Sequence, residues 1–118
     1  MKDLETRTKE FALRIIKLSA FLNGSSKEAA ILSRQILRSG TSIGANYRET
    51  KRARSKAEFI STMGICLKEA EEVKYWLELL EEAELVTNQQ INPLKMEINE
   101  LISILVTSIK TAKKHGKE

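Results

Sequence analysis

The chain has 118 residues, 5% of them aromatic and one of them proline, with Ala, Leu, Ile, Glu and Lys prominent; this balance suits long helices and excludes a turn-rich β-sandwich. Such a length fits one domain, residues 1–118, able to bury roughly two thirds of the surface its unfolded chain exposes. The net charge of +4 is uneven: residues 1–54 hold 12 Lys+Arg against 5 Asp+Glu, residues 55–118 hold 8 against 11, which points to an anionic partner for the first half or to pairing between copies.

The start, Met1-Lys-Asp-Leu-Glu-Thr-Arg7, is charged and lacks the apolar core of a signal peptide. No apolar run approaches the ~20 residues that span a bilayer, so no membrane partner and a cytoplasmic location are expected. The first helix is predicted from about Asp3 to Leu22, with Phe11, Ile15, Leu18 and Leu22 spaced four, three and four apart and Asp3 as its cap. Asn23-Gly24 stops it. Ser25-Ser-Lys-Glu28 then has the form of a capping box opening a second helix.

That second helix, Lys27 to Arg52, has two opposed faces. At about 100° per residue, Leu32, Ile36, Ser39, Ile43, Asn46, Tyr47 and Thr50 share one side. Lys27, Arg34, Arg38, Arg48 and Arg52 share a narrow arc opposite. Gly40 and Gly44 weaken the interior by ~1 kcal/mol each relative to alanine, so they imply either close approach by a neighbouring helix or a local bend. Between the faces runs a polar seam of Ser42, Asn46 and Glu49.

After the basic cluster Lys51, Arg52 and Arg54, a second box, Ser55-Lys-Ala-Glu58, opens helix 3. So short a connection places helices 2 and 3 antiparallel and adjacent. Helix 3 is expected to reach about Leu85, with Phe59, Met63, Cys66, Ala70, Val73, Leu77 and Leu80 forming a heptad seam. Trp76 and Leu79 widen that seam, and Glu71, Glu78 and Glu82 form an exposed acidic flank. The lone Cys66 fits a buried small hydrophobe, with a reactive thiol as the alternative.

Helix 4 starts at Asn88, after a Thr87-Asn-Gln-Gln90 box, or at Asn92, with Pro93 in the first helical position; the two signals compete. It runs to Lys114. Its apolar residues, from Leu94 to Ile109, span an arc of about 200°, wider than one core needs. That width predicts a second buried contact, most simply another copy of the chain. The polar tail Lys113-Lys-His-Gly-Lys-Glu118 is expected to fray.

The chain lacks the signatures of the common catalytic sites. A di-metal bundle needs Glu-x-x-His pairs, and the only histidine, His115, sits in the tail. No Cys/His cluster suits zinc, no Gly-x-x-x-x-Gly-Lys-Ser/Thr loop cradles phosphates, and no nucleophile has an evident histidine base. The expectation is therefore no enzyme, no cofactor, no metal and no small-molecule substrate. Glu69 and Glu72, near the packed side of helix 3, read as partners in interhelical or intersubunit ion pairs with Arg or Asn. With Ser42, Asn46 and Glu49 they make a candidate structural network that fixes helix register, a ligand pocket being the alternative.

The arginine arc carries the functional expectation. Arg34, Arg38, Arg48 and Arg52 would extend over nearly 30 Å and, with Lys27 and Arg54 beyond them, could follow several phosphates of RNA or DNA. No aromatic residues interleave with them, so recognition would be by charge or shape. The alternative is a solvated face paired with acids of helix 3 or of another subunit, in a protein-interaction scaffold with no nucleic-acid role.

Ser42-Ile43-Gly-Ala-Asn46-Tyr-Arg-Glu49, the basic loop, Ser55-Lys-Ala-Glu-Phe59 and the acidic run Leu67-Lys-Glu69-Ala-Glu-Glu72-Val-Lys-Tyr-Trp-Leu77 together resemble the four-helix-bundle proteins named after intervening sequences in bacterial 23S rRNA genes. The chain departs from their pattern in carrying Thr50 where glycine is common, and Cys66-Leu67 where Gly-Ser is common. The resemblance implies an all-α, up-and-down antiparallel four-helix bundle, often assembled as a homopentameric ring, with no established enzymatic activity. Some relatives in this fold are accessory proteins of diversity-generating retroelements, basic pentamers that partner nucleic acid and reverse transcriptase.

Overall fold

The computed structural model describes residues 2–115, which form four helices: α1 (Leu4–Asn23), α2 (Lys27–Thr50), α3 (Lys56–Glu82) and α4 (Asn88–His115). Gly116, Lys117 and Glu118, part of the tail expected to fray, lie outside the described residues; Lys113 to His115 continue α4. Contacts descend along one helix as they ascend along its neighbour: Thr8, Ile15 and Ser19 of α1 meet Gly44, Gly40 and Ser33 of α2. Thr50 and Arg38 of α2 likewise meet Cys66 and Glu69 of α3. Glu81, near the end of α3, meets Lys95, near the start of α4, so each helix is antiparallel to the one before it, in an all-α bundle of 52 × 24 × 20 Å.

Local chemistry sets the ends. Asp3 caps α1 by accepting from the Thr6 amide at 2.8 Å, and that bond lowers the Asp3 pKa below its ordinary value. The cap of α2 is Ser26, not Ser25: Ser26 Oγ accepts from the Ala29 amide, while Ser25 Oγ donates back to the Phe21 carbonyl. Either serine can cap, but with Ser26 in that place Ala29 and not Glu28 is the third helical residue, so no capping box forms, and Ser25 closes the preceding helix. Ser55 caps α3 as expected. That helix ends at Glu82, earlier than Leu85, because Glu84 takes a left-handed conformation, φ 59°. The Leu85 amide then returns to the Leu80 carbonyl at 3.0 Å, the hydrogen-bonding pattern of a Schellman turn. Thr87 and Gln90 bond each other's amides reciprocally, so the first of the two competing starts opens α4. Pro93 sits one turn inside the helix.

The core takes Phe11, Ile15, Leu18 and Leu22 from α1, Ile36 and Ile43 from α2, six of the α3 seam residues from Met63 to Leu80, and Ile91, Leu94, Ile98, Leu101 and Leu105 from α4. Leu32, Tyr47, Phe59, Trp76, Ile102 and Ile109 pack half-buried around it. The buried side of α2 also includes Ala29, Ser33 and Gly40, which permit the neighbouring helix to come close. Adding a Cβ to Gly40 would place it 2.8 Å from Ile15 Cγ2, and one on Gly44 would lie 3.1 Å from Thr8 Oγ1. The two glycines are thus there for close approach. Buried hydroxyls at this contact are satisfied: Thr8 donates to the Leu4 carbonyl, and Ser33 donates to the Ser19 carbonyl. The Ser33 proton being so used, the bond between the two serine hydroxyls is donated by Ser19.

Helices α1 and α2, α2 and α3, and α3 and α4 pack along their lengths, whereas the α1 and α4 backbones approach at few points and the diagonal backbones stay apart, their side chains sharing one core. An ion pair closes the wide α1–α4 seam: Arg7 holds Glu97 through two nitrogens, at 2.8 and 3.1 Å, and Glu100 at 3.1 Å. These bonds, the one to Glu97 foremost, raise the Arg7 pKa above its ordinary value.

The glycines separate packing from propensity. Gly40→Ala is expected to cost about 1–3 kcal/mol, because Ile15 must move. Gly64→Ala, within α3 and with nothing inside 4 Å of its added Cβ, is expected to stabilise by about 0.5–1 kcal/mol. Urea unfolding followed by circular dichroism measures both, and equal effects would mean that the α1–α2 approach is not tight.

Candidate nucleic-acid interface

Helix α2 touches α1 along one flank and α3 along the other, so its remaining face points to solvent, and the cations sit there. Lys27, Arg34, Arg38 and Arg48 lie exposed on α2; Arg52 and Arg54 are exposed in the turn that follows. The helix ends at Thr50, so the straight part of the stripe runs from Lys27 to Arg48, about 32 Å at helical rise. Arg52 lies beyond it, not on it.

The six cations are not equivalent. Arg38 leans across to α3, where its two terminal nitrogens meet Glu69, at 3.2 Å, and Glu72. Glu69 is 8% exposed, so this pair brings a carboxylate close to the core and its neutralising partner with it. Lys51, at the end of α2, is similarly held by Glu5 at 2.6 Å. Among the described residues Lys27, Arg34, Arg48, Arg52 and Arg54 form no ion pair. Arg48 flanks the outer α1–α2 groove with Lys9 and Glu5, over a floor of Ala12, Thr41, Gly44 and Ala45.

The candidate polar network divides in two. Glu69 and Glu72 bind Arg38, whereas Ser42 donates to the Arg38 carbonyl at 2.6 Å and Asn46 to the Ser42 carbonyl at 2.8 Å, both within α2. Glu49 is exposed and makes no side-chain hydrogen bond among the described residues. Short polar side chains on a helix find their own backbone four residues back before they find a neighbour; the long arginine reaches across. Where the chain departs from the family pattern, Thr50 and Cys66 face each other, Oγ1 to Sγ at 3.8 Å, both buried. Burial pushes the Cys66 thiol up, in line with a packed side chain.

Two features escaped sequence reasoning. Arg7 lies one turn before Phe11 on the core-facing side of α1, and that placement was the available signal for a half-buried cation needing acids. Leu13 and Ile16 of α1, 52% and 47% exposed, fall off the apolar stripe that periodicity picks out. Among the described residues no three His, Cys, Asp or Glu side chains converge as a metal site, and no helix is long and apolar enough to cross a membrane.

Arg38→Ala should separate support from surface. The loss leaves Glu69 facing the core without its cation; since the guanidinium is half-exposed, screening holds the cost near ~1 kcal/mol, below that of a fully buried pair. Arg34→Ala should stay within about 0.5 kcal/mol of wild type. Denaturant midpoints test the pair, and an equal response would remove the special status of Arg38.

Comparison with known proteins agrees with this architecture. A family model described as 23S rRNA-intervening sequence protein matches residues 3–107. A crystal structure of a protein of unknown function, from the S23 ribosomal protein family of Bacteroides thetaiotaomicron, is 44% identical. The match covers 92% of this chain and 99% of that one, with a TM-score of 0.86. No curated protein matches. The glycine-mediated α1–α2 contact, the Ser42-to-Glu49 segment and the four antiparallel helices thus sit in a chain that belongs to the 23S rRNA-intervening sequence protein family.

Proposed function

We propose that this chain is a non-enzymatic RNA-binding protein that works as a homo-oligomer, in a ring where the copies close, and that it holds RNA through the outward face of α2 and the turn after it. One observation carries the reading: Lys27, Arg34, Arg48, Arg52 and Arg54 are exposed and form no ion pair among the described residues. Exposed, unpaired cations cost little to redirect onto phosphates, and arginine binds them bidentately. Arg38 belongs to the α2–α3 seam and contributes field rather than contact.

The face carries no aromatic side chain from Lys27 to Arg52 except Tyr47, which packs half-buried on the other side. Bases therefore have no stacking platform, and a structured or duplex RNA, read through its backbone, is the favoured ligand. Copies standing side by side would sum their fields. An RNA ligand accords with a cytoplasmic location.

Binding of a structured RNA hairpin, followed by fluorescence anisotropy at several salt concentrations, tests the proposal. Affinity should fall log-linearly with salt, and the double variant Arg34→Glu with Arg48→Glu should bind about tenfold more weakly or worse, with a shallower salt slope. No binding at low salt, or equal binding by the variant, would sink the reading and leave the protein-interaction scaffold in its place.

A further inference from the structure

The largest outward apolar side chains on α1 are Leu13, Ile16 and Phe21. Leu13 and Ile16 share a face with Lys9, Lys17 and Ala20, all exposed, within about 100° of arc at helical pitch. Inside the bundle nothing uses this face: α2 contacts the flank that carries Thr8 and Ser19. Lys9 and Lys17 form no ion pair among the described residues. A stripe that alternates lysine with Leu and Ile calls for a partner helix that alternates acid with apolar or aromatic groups.

The same chain carries such a helix. On the outward face of α3, Glu71, Tyr75, Glu78, Leu79 and Glu82 fall within a similar arc. Tyr75 is 53% exposed, and Glu71, Glu78 and Glu82 are exposed and form no ion pair among the described residues; Lys68 is exposed on the same arc one turn earlier, so the face carries three acids to one cation. The spacing repeats between the faces: positions 9, 13, 16, 17 and 20 of one match 71, 75, 78, 79 and 82 of the other. Laid parallel and face to face, Lys9 comes opposite Glu71 and Leu13 opposite Tyr75, while the edge positions cross, Lys17 to Glu78 and Ile16 to Leu79. Since α1 and α3 are diagonal across the bundle, their backbones apart and the core between them, their outward faces point to opposite sides of one molecule.

We propose that the lysine–leucine face of α1 docks on the acidic, tyrosine-bearing face of α3 of a second copy of this chain. The contact is heterologous, so each copy keeps one free face for the next, and repetition builds a closed ring or an open array. Neither face includes the outward surface of α2. Arg34, Arg52 and Arg54 lie off both faces, whereas Arg48 borders the docking face, beside Lys9 and Leu13. The inference deepens the homo-oligomer part of the proposed function and needs no nucleic acid.

Size-exclusion chromatography with light scattering, on nucleic-acid-free protein, tests it. The wild type should run above the 13.4 kDa of one chain. Both Lys9→Glu with Lys17→Glu and Glu71→Lys with Glu78→Lys should fall to that mass, their association weakened at least tenfold, with helical circular dichroism retained because all four positions are exposed. Mixing the two variants should restore association above the mass of one chain, in alternating order, since every contact between unlike chains again pairs lysine with glutamate; a ring with an odd number of copies cannot alternate throughout, so the reading is reassociation and not return of the wild-type mass. Tyr75→Ala gives a second reading without changing charge, and should also lower the mass.

A monomeric wild type would overturn both this contact and the homo-oligomer reading. An oligomeric wild type whose variants keep their mass would overturn the contact alone, as would monomeric variants that fail to reassociate on mixing. RNA binding, measured separately, stands or falls on its own.

Discussion

The approach of α1 to α2 over Gly40 and Gly44 is the constraint on which the rest of the bundle depends. With Ile15 Cγ2 lying where a Cβ on residue 40 would need to be, the helices sit closer than any side chain would allow, and close packing of this kind gives dispersion contacts that a wider seam forfeits. The proximity also lets Ser19 and Ser33 bond across the interface. A pair of buried hydroxyls is tolerable there only because the separation leaves each a partner. Drawing α1 toward α2 takes it away from α4, and the sparse α1–α4 seam follows. Phe11 fills the wider space from within, and Arg7 spans its rim to Glu97 and Glu100.

The ion pairs sort by burial into those that hold helices and those that decorate them. Arg7 with Glu97, both about one-fifth exposed, and Arg38 with the nearly buried Glu69 join different helices where water is partly excluded. Their desolvation offsets much of the Coulomb gain, so their effect is less to add stability than to penalise registers in which a carboxylate would face the core alone. Lys2 with Glu10, both half-exposed or more, lies in solvent of high dielectric and contributes little. Counting Arg38 among the surface arginines therefore mistakes a register-fixing side chain for a free one.

What the amino-acid order makes legible follows from how far each signal reaches. The α3 seam from Met63 to Leu80 was readable because a period near 3.5 accumulates over several turns and cannot be satisfied by another phase. The glycines were readable as a choice between close approach and bend, and only the identity of the opposing atoms, Ile15 and Thr8, decides it. Ser25 and Ser26 differ by one position and both suit a cap, so a local rule selects a pair and the turn geometry selects the residue. The two sets within the polar seam were not legible at all. Angular position places Arg38 on the outer arc and Asn46 near the packed flank, yet the arginine's length takes its charge inward to Glu69 while the asparagine turns back to its own helix. Side-chain reach, a few ångströms either way, is invisible to periodicity.

The uneven charge of the two halves acquires a spatial meaning once paired groups are set aside. Arg7, Arg38 and Lys51 of the first half are matched by acids; Glu69, Glu72, Glu81, Glu97 and Glu100 of the second half are matched by cations. What is left unpaired is positive on α2 and on α1, where Lys9, Arg14 and Lys17 remain, and mixed on α3, where Glu71, Glu78 and Glu82 stand with Lys68 and Lys74. A phosphate backbone approaching an isolated molecule meets attraction from Arg34 and Arg48 on α2 and repulsion from the exposed Glu71, Glu78 and Glu82 on α3, each felt only within the ~8–10 Å screening length of physiological salt. Covering those acids with Lys9 and Lys17 of a neighbouring copy would remove the repulsion without touching Arg34. Association and anion binding would then be linked: each favours the other by the same free energy, because both act on one field.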